Sequence, residues 1–266
     1  MKRKRVKSWL RGGSLSLVWL LLAAIGIIYF VQPALLAMSF PGYFGFEPVG
    51  GGVYVEAAMP KELRMRLASA IREGEAKAED FYGQLEAAPV ILACATKPCW
   101  QKLGGGGAKG ISYANIGIRI ALAGIDPVIL AHERSHTELH ERLGLTNFVL
   151  GKMPAWFDEG LAVIVSDDAR YLFPKNARDR CRVVESAGDF PVRKTDWTRA
   201  AGADHDLYAR AACRVLRWMN AAGGKNAALA LIAKVSVGVP FEALYRDPMN
   251  QGPALANVAE REERKK

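Results

Sequence analysis

Hydrophobic residues follow two different patterns along this chain of 266 residues. An unbroken apolar run fills most of residues 15–38, and no charged residue occurs between Arg11 and Glu47. Beyond that gap a period of 3.6 residues predicts a helix over residues 61–85. Alternation and short apolar runs predict strands in the same half of the chain, at about 53–57, 89–95 and 111–123.

The second half of the chain is predicted to be helical almost throughout. The predicted helices lie at about 127–143, 154–167, 204–221, 225–236 and 240–246. Strands that come before the helices, instead of alternating with them, indicate an α+β domain. No repeat of solenoid or propeller length occurs.

The apolar run of residues 15–38 is long enough to cross a bilayer, since about 20 apolar helical residues span the hydrocarbon layer. Six basic residues precede it within the first eleven positions, which leaves +3 of the formal net charge of +9 for the rest. This basic tail (residues 1–14) is expected to stay in the cytoplasm, with the remainder on the extracytoplasmic (periplasmic) side. A cleavable signal peptide ending near Ala37 is the alternative, but its apolar core is usually only about 7–15 residues long. We therefore predict a retained single-pass anchor in the lipid bilayer.

Composition predicts three further boundaries. Residues 39–52 are rich in glycine, proline and aromatic residues, which is typical of a linker. A folded domain is expected over 53–250, followed by a charged tail over 251–266. Because the basic charge is concentrated at the N-terminus and no nucleic-acid-binding motif occurs, no nucleic-acid partner is predicted.

Four cysteines in an exported domain predict two disulfides, for which three connectivities are possible. We favour Cys94–Cys99, whose members lie five positions apart around a Lys-Pro turn, with Cys181–Cys213 as the second bond. A zinc site built from all four cysteines is the competing interpretation. It is disfavoured because the sequence lacks a pair of C-x2-C motifs.

One predicted helix carries the residues with the most specific chemistry. Asp126 followed by Pro127 is typical of a helix start, and Gly144 is typical of a helix end. Between them two histidines and an acidic residue form the pattern H-E-x-x-H: His132, Glu133 and His136.

The spacing of this pattern has a geometric meaning. Residues four apart lie on the same face of a helix, so His132 and His136 can converge on one metal ion. Glu133 is rotated by about 100° from His132, so its carboxylate flanks the ion instead of binding it. There it can act as general base toward a zinc-activated water. Two histidines simply exposed on a helix surface are the alternative.

A catalytic zinc site of this type needs a third protein ligand beside His132 and His136. His140 lies about 12 Å from His132 along the helix axis, which is too far for all three rings to meet one ion. The longer pattern H-E-x-x-H-x-x-G-x-x-H also fails, because Leu139 stands where glycine belongs. The next helix offers the stronger candidates, because Asp158 and Glu159 lie in its first turns, where a carboxylate gains from the helix dipole, and one of them can reach the metal. His140 is then expected to be partly exposed.

The segment HERSH, followed after a short loop by WFDEGLA, resembles the gluzincin zinc peptidases, which include thermolysin and a large group of aminopeptidases. The resemblance implies a zincin-like (thermolysin-type) domain, with a small N-terminal mixed β-sheet and a helical C-terminal part. The predicted transmembrane helix precedes it. It also implies one zinc ion per chain, held by His132, His136 and Glu159, with Glu133 as general base. The exopeptidase motif GAMEN is absent, which favours an endopeptidase over an aminopeptidase.

Two roles near the predicted metal stay open. Asp158 can orient a ligand histidine, or it can be a solvated carboxylate in the first turn of a helix. Gluzincins usually stabilise the oxyanion with a tyrosine or histidine from a later helix, which implies Tyr208 or His205. Tyr208 can equally belong to a packed stripe with Ala212.

The sequence as a whole predicts a membrane-anchored zinc-dependent peptidase that acts on a peptide or protein substrate. One alternative is a zinc hydrolase acting on another amide, such as a cell-wall peptide. The second is a membrane-tethered, non-catalytic gluzincin-like module for binding or assembly. Glu133 argues against that last possibility, since metal binding alone requires no general base.

Overall fold

The computed structural model describes residues 32–183 and 189–245, together with the single positions Trp19, Ala23 and Gly26. The predicted basic tail (1–14), most of the predicted anchor (15–38) and the predicted C-terminal tail (251–266) lie outside the described residues. Within the described part of the chain, none of the helices combines the length and the apolar character needed to cross a bilayer.

A small mixed β-sheet occupies the first half of the described chain. Its strands are β1 (Phe46–Gly50), β2 (Val53–Glu56), β3 (Val90–Ala93), β4 (Gly110–Tyr113) and β5 (Gly117–Ile120). Their order in the sheet is β1-β2-β3-β5-β4. The central strands β2, β3 and β5 run parallel, and the two edge strands β1 and β4 are antiparallel to their neighbours. Strand β3 is a continuous apolar run because both faces of the sheet are covered there.

Helices account for most of the remaining described residues. They are α1 (Pro33–Ser39), α2 (Lys61–Tyr82), α3 (Lys97–Lys102), α4 (Pro127–Leu143), α5 (Leu145–Val149), α6 (Ala155–Ser166), α7 (Lys194–Ala203), α8 (Leu207–Ala222), α9 (Lys225–Ser236) and α10 (Phe241–Leu244). Two short 3₁₀ helices lie at Pro41–Phe44 and Leu122–Gly124. The predicted mixed α and β architecture, with a small mixed sheet and many helices, is therefore confirmed, although α2 and α3 lie between strands of the sheet.

The sheet is covered on both faces by helices. On one face Ile91 packs in a cluster with Leu67 of α2 and Leu130 of α4. On the other face Leu92, the next residue of β3, packs with Trp100 of α3. Further along α4, Leu139 packs into the core formed by α6, α8 and α9. Helix α4 therefore lies between the sheet and the helical half, which fixes its position.

Residues 39–52, which the sequence analysis interpreted as a linker, are part of the fold. Strand β1 pairs with β2, and Phe46 at its start is only 4% exposed. Gly51 and Gly52 both have positive φ, which a tight β-hairpin turn requires. The glycines that suggested a linker thus form a hairpin. In α1, at the end of the predicted anchor, Ala34 and Ala37 are fully buried.

Both predicted disulfides are present. Cys94–Cys99 joins the end of β3 to α3, and Cys181–Cys213 joins the segment after α6 to α8. All four sulfur atoms are therefore engaged, and the competing site with four cysteine ligands is excluded.

Helices α6 and α8 approach each other with their backbones in contact at Gly160. A Cβ atom added there would lie 2.7 Å from the carbonyl oxygen of Ala211 and 2.9 Å from Val215 Cγ2. The neighbouring atom is backbone, so it cannot move aside cheaply. The residue after Glu159 must therefore be glycine for these helices to meet.

We expect Gly160→Ala to lower the free energy of unfolding by about 1–3 kcal/mol, because the added methyl group forces α6 and α8 apart. Denaturant unfolding followed by circular dichroism measures this change. Gly202→Ala in α7 is the matched control, since nothing lies within 4 Å of a Cβ atom there. Equal stability of the two variants would contradict the close contact.

Candidate metal centre

Helix α4 brings the two histidines of the motif together. The Asp126 side chain caps the helix, since its Oδ1 accepts a hydrogen bond from Val128 N at 2.8 Å. The Nε2 atoms of His132 and His136 lie 3.2 Å apart, with the ring planes at 83°. The spacing of four residues thus places two imidazole nitrogens at one point, as the sequence predicts.

Helix α6 brings Glu159 to the same point. Its Oε2 atom lies 3.4 Å from His132 Nε2 and 3.5 Å from His136 Nε2. Glu159 is 2% exposed, and Oε2 has no hydrogen-bond partner among the described residues. A buried carboxylate oxygen without a partner is costly, so a cation at this point would satisfy it.

The three atoms fit a small tetrahedral metal ion. Ligands bound to zinc at about 2.0–2.1 Å in tetrahedral geometry lie roughly 3.3 Å from one another. The observed separations of 3.2, 3.4 and 3.5 Å match this value. His132, His136 and Glu159 therefore form a group that can hold a metal ion.

Asp158 connects His136 to a second histidine. Its Oδ1 accepts a hydrogen bond from His136 Nδ1 at 2.6 Å, and its Oδ2 accepts one from His140 Nε2 at 2.9 Å. Because an ionised carboxylate only accepts, His136 carries a proton on Nδ1, and its Nε2 can bind a cation. Of the two interpretations of Asp158 left open by the sequence, the one that orients His136 agrees with this geometry.

The expectation that His140 is partly exposed was wrong. His140 is 5% exposed, and its ring packs 4.1 Å from the Phe148 ring. Burial is possible because Asp158 on the neighbouring helix pairs with His140, which offsets the loss of water. A bridging carboxylate between two helices leaves no periodic signal in the sequence.

A second group, His136, His140 and Asp158, can also hold a metal ion. Its separations of 2.6 and 2.9 Å are those of hydrogen bonds, and they are shorter than the roughly 3.3 Å between ligands of one tetrahedral ion. Binding an ion there would break two charge-assisted hydrogen bonds. The geometry therefore favours the group that contains His132 and Glu159.

The electrostatics of the centre favour positive charge. Burial alone lowers the pKa of His136, but the carboxylates of Asp158 and Glu159 outweigh burial and raise it to about 10. Burial alone raises the pKa of Glu159, but Lys194 and His136 hold it well below its usual range. Both carboxylates are thus ionised in a buried site, and a proton or a metal ion is needed to balance them.

Lys194 is a member of the centre that the sequence did not indicate. Its ammonium forms a salt bridge with Glu159 Oε1, although the side chain as a whole is 60% exposed. The other oxygen of Glu159 faces the histidines. Lys194 therefore holds the carboxylate in the orientation that presents Oε2 to His132 and His136.

Glu133 lies apart from the ligand group, at the wall of an open cleft of about 300 Å³. Gly110, the first residue of the edge strand β4, lies directly over the Glu133 side chain. A Cβ atom added to Gly110 would lie 2.8 Å from Glu133 Cγ. Glu133 is 7% exposed and shares the cleft with His132, so its carboxylate can meet a molecule that enters the cleft.

The two candidate oxyanion donors differ in position. Tyr208 lines the cleft with His132 and Glu133, and its ring centroid lies 6.3 Å from that of His132. Burial raises the pKa of Tyr208, and the nearby Glu159 carboxylate raises it further, so the phenol stays protonated and can donate. His205 is exposed and is not among the residues that line the cleft.

Two other residues of the cleft, Arg170 and Tyr171, were also missed by sequence reasoning. Arg170 Nε donates to the buried Asp168 at 2.9 Å, and the Tyr171 ring stacks on Tyr208 at 5.4 Å. Both follow α6 in an irregular segment with no motif. The only signal was their position directly after the motif-bearing helix.

Comparisons of this chain with protein families, with curated proteins and with solved structures found no match. Its chemistry is therefore inferred from its own residues. Three features carry the inference. Glu133 and Tyr208 line the same open cleft. Beside them lies the group of residues that can hold a metal ion, His132, His136 and Glu159.

Asp158→Asn should lower the affinity for the metal about 10- to 100-fold, because the amide orients His136 less firmly and removes one buried negative charge. Competition with a coloured zinc chelator measures the affinity. Asp196→Asn, an exposed change at the start of α7, is the control and should leave the affinity unchanged. Equal affinity of both variants would show that Asp158 has no influence on the metal.

Proposed function

We propose that this chain is a membrane-anchored, zinc-dependent peptidase of the gluzincin type, with a zincin-like (thermolysin-type) domain. One observation carries the proposal. The nitrogens of His132 and His136 and an oxygen of Glu159 converge at tetrahedral ligand spacing, while Glu133 stands beside them in an open cleft. Two histidines, a carboxylate and an open fourth position are a catalytic zinc set.

Several residues of the site then have separate roles in hydrolysis. Zinc, when bound, supplies a Lewis acid that polarises the scissile carbonyl and acidifies water. Glu133 accepts the proton of the attacking water and returns it to the leaving nitrogen as the bond breaks. Tyr208 donates a hydrogen bond to the oxygen on which negative charge develops. Asp158 and Lys194 hold the ligands His136 and Glu159 in place.

The proposed location is the extracytoplasmic side of a membrane. Two disulfides within the domain are typical of an oxidising compartment. The apolar run of residues 15–38, preceded by basic residues, supports an anchor in the lipid bilayer with the N-terminus in the cytoplasm. The substrates are then peptides or proteins outside the cytoplasm.

Hydrolysis by the purified full chain in detergent, with and without chelator, tests this function. We expect the zinc-loaded protein to cleave quenched peptides, and 1,10-phenanthroline to reduce the rate at least about 100-fold, since the metal's charge stabilisation is lost. Added zinc should restore the rate, and magnesium should not, because it prefers oxygen ligands in octahedral geometry. The non-chelating isomer 1,7-phenanthroline is the control. Cleavage that survives chelation would contradict a metal-dependent mechanism.

A further inference from the structure

Helix α1 joins the apolar run of residues 15–38 to the folded domain. Ala34 and Ala37 of this helix are fully buried and pack in one cluster with Leu92 of β3 and Trp100 of α3. The domain therefore begins within the predicted anchor, and α1 takes the place of a flexible linker. About 18 mostly apolar residues precede α1 in the run, a length that still suffices for a helix to cross the hydrocarbon layer.

The start of α1 lies at the end of the sheet that carries the cleft. A Cβ atom added to Gly104 would lie 3.5 Å from Pro33 Cγ, so the first residue of α1 contacts this glycine. Arg119 of β5 holds the same glycine, because its Nη2 donates to Gly104 O at 3.2 Å. The next residue of β5 pairs with Gly110, which lies over Glu133. The chain therefore enters the domain beside the cleft.

Helix α1 runs from this end of the sheet toward the other. A Cβ atom added to Gly117, the first residue of β5, would lie 2.5 Å from Met38 Sδ near the end of α1. Because Pro33 lies at the last residues of β5 and Met38 at its first, α1 runs antiparallel to this strand. Its N-terminus thus points out of the cleft end of the sheet. A membrane segment that precedes α1 must lie on that side of the domain.

A glycine-rich loop connects the contact at Pro33 with the cleft. It begins at Gly104 and ends at Gly110, and its residues 107–109 line the cleft. Trp100 Nε1 donates to Gly106 O at 2.9 Å and so fixes the middle of the loop. Six residues of chain reach at most about 20–22 Å. The cleft therefore lies within roughly this distance of the point where the chain enters the domain.

Positive charge is present at the same end of the domain. Lys97 and Lys102 are the first and last residues of α3, and Lys109 lines the cleft. All three are exposed. Basic residues next to a membrane are attracted to anionic lipid headgroups. The charge thus suits a lipid surface at the cleft end of the sheet.

The opposite end of the domain lies farther from such a surface. Helix α4 runs along β4, from Glu133 beside the first residue of the strand to Glu141, which accepts a hydrogen bond from Asn115 just after the strand. Between Glu133 and its last residue α4 rises about 15 Å. Asn147 follows α4 and donates to the last residue of α9 at 2.8 Å. Val237, directly after α9, therefore lies at the far end.

We propose that the cleft end of the domain rests on the bilayer, and that the substrate is a peptide segment attached to the same membrane and cut about six to eight residues, roughly 20–25 Å, from the lipid. This inference rests on the anchored peptidase proposed above. A cleft at a fixed height favours a tethered segment whose length matches that height, because the effective concentration is highest at the match and falls for longer tethers. Soluble peptides lack this gain.

Hydrolysis of lipid-tethered peptides by the zinc-loaded full chain in liposomes tests the proposal. One quenched peptide is attached to a diacyl lipid through a glycine-serine spacer of about 8 residues, which matches the height when extended, or of about 32. We expect the short spacer to give a rate roughly five- to tenfold higher, since effective concentration falls about as the −3/2 power of tether length. Equal rates, or a faster rate with the long spacer, would overturn the proposal.

An insertion between Gln32 and Pro33 separates the domain from the proposed anchor. About twelve glycine and serine residues, which as a flexible chain span roughly 17–21 Å, should remove the preference for the short spacer. Hydrolysis of the same peptide without lipid should stay unchanged. The same insertion between Gly223 and Gly224, in the turn that joins α8 and α9, is the matched control and should keep the preference. Equal spacer profiles of the two variants would contradict the placement on the bilayer.

Energy transfer from the domain to the lipid measures this placement without turnover. A donor dye is attached to Gly106→Cys in the loop or to Val237→Cys at the far end, and acceptor dyes are attached to the lipid headgroups. Each variant takes a single label, because all four native cysteines form disulfides. Nothing lies within 4 Å of a Cβ atom at Gly106, and Val237 is 79% exposed, so both changes fit the fold. Transfer should be stronger from residue 106.

The two readouts separate the placement from the peptidase function. If the chain cleaves neither tethered peptide but transfer is stronger from residue 106, the placement stands and the peptidase function fails. Equal transfer from both positions, or stronger transfer from residue 237, would overturn the placement whatever the hydrolysis result. A chain that does not enter liposomes would overturn the anchor and the placement together, whereas hydrolysis of the soluble peptide would still support the peptidase.

Discussion

Glu133→Gln should abolish peptide hydrolysis, with kcat reduced about 10²- to 10⁴-fold, while the metal content stays at one ion per chain. Glutamine has the same shape but cannot accept the proton of the attacking water, and a general base contributes a factor of this size. The metal should stay because Glu133 is not a member of the ligand group. Steady-state kinetics together with metal analysis of the same sample measure both effects.

Glu141→Gln on the same helix is the matched control for this change. Glu141 accepts a hydrogen bond from Asn115 Nδ2 at 2.6 Å and does not line the cleft. Its replacement should leave kcat within about twofold, as is usual for a change outside the active site. If Glu133→Gln were as active as this control, Glu133 would not be the base. If it also supported the cellular role of the protein fully, a non-catalytic binding module would become the better hypothesis.

His132→Ala should have the largest effect on the metal itself. Structural zinc sites with four ligands bind zinc with a free energy of roughly 10–16 kcal/mol, so one ligand contributes about a quarter of that. Loss of one of three protein ligands is therefore expected to lower the affinity for zinc about 10³-fold. His132 belongs only to the group with Glu159, so its loss tests that group alone. Glu159→Ala should have a similar effect. Isothermal titration of the metal-free variants with zinc measures the change.

His140→Ala distinguishes the two possible metal groups. His140 contacts Asp158 but not the point where His132, His136 and Glu159 converge. Its loss should therefore lower the affinity only about 10-fold, the effect of a residue that acts through a ligand's partner. A larger loss in His140→Ala than in His132→Ala would move the metal to the other group.

The parts of the fold that local sequence determines were predicted well. Helix α4 has an N-cap in Asp126, a proline at its first position and a glycine after its end, and each acts within a few residues. The same holds for β3, whose apolar run identifies a strand covered on both faces. Because the ligands His132 and His136 lie on one such helix, their convergence could be derived from spacing alone.

Contacts between distant segments were not predictable in the same way. Lys194 reaches Glu159 from a helix 35 positions further on, and helix α7 showed no clear apolar period. The burial of His140 depends on Asp158, 18 positions away on another helix. Such pairs are set by how helices pack, which no single segment encodes. A cavity of about 600 Å³ beside the metal centre could not be predicted for the same reason, since its wall combines β4, α4, α5, α6 and the start of α7.

The composition of residues 39–52 indicated a linker, but the segment contains strand β1. Glycine and proline are frequent both in linkers and in tight hairpins, and only the pairing of β1 with β2 separates the two. Phe46 was the informative residue, because a buried aromatic at the start of a strand is unusual in a linker.

An anomalous difference map from crystals of the zinc-loaded chain, collected at the zinc absorption edge, tests the metal centre most directly. We predict one peak per chain, about 2.0–2.2 Å from Nε2 of His132, Nε2 of His136 and a carboxylate oxygen of Glu159. A peak between His140 and Asp158, or no peak near His132, would contradict the proposed centre.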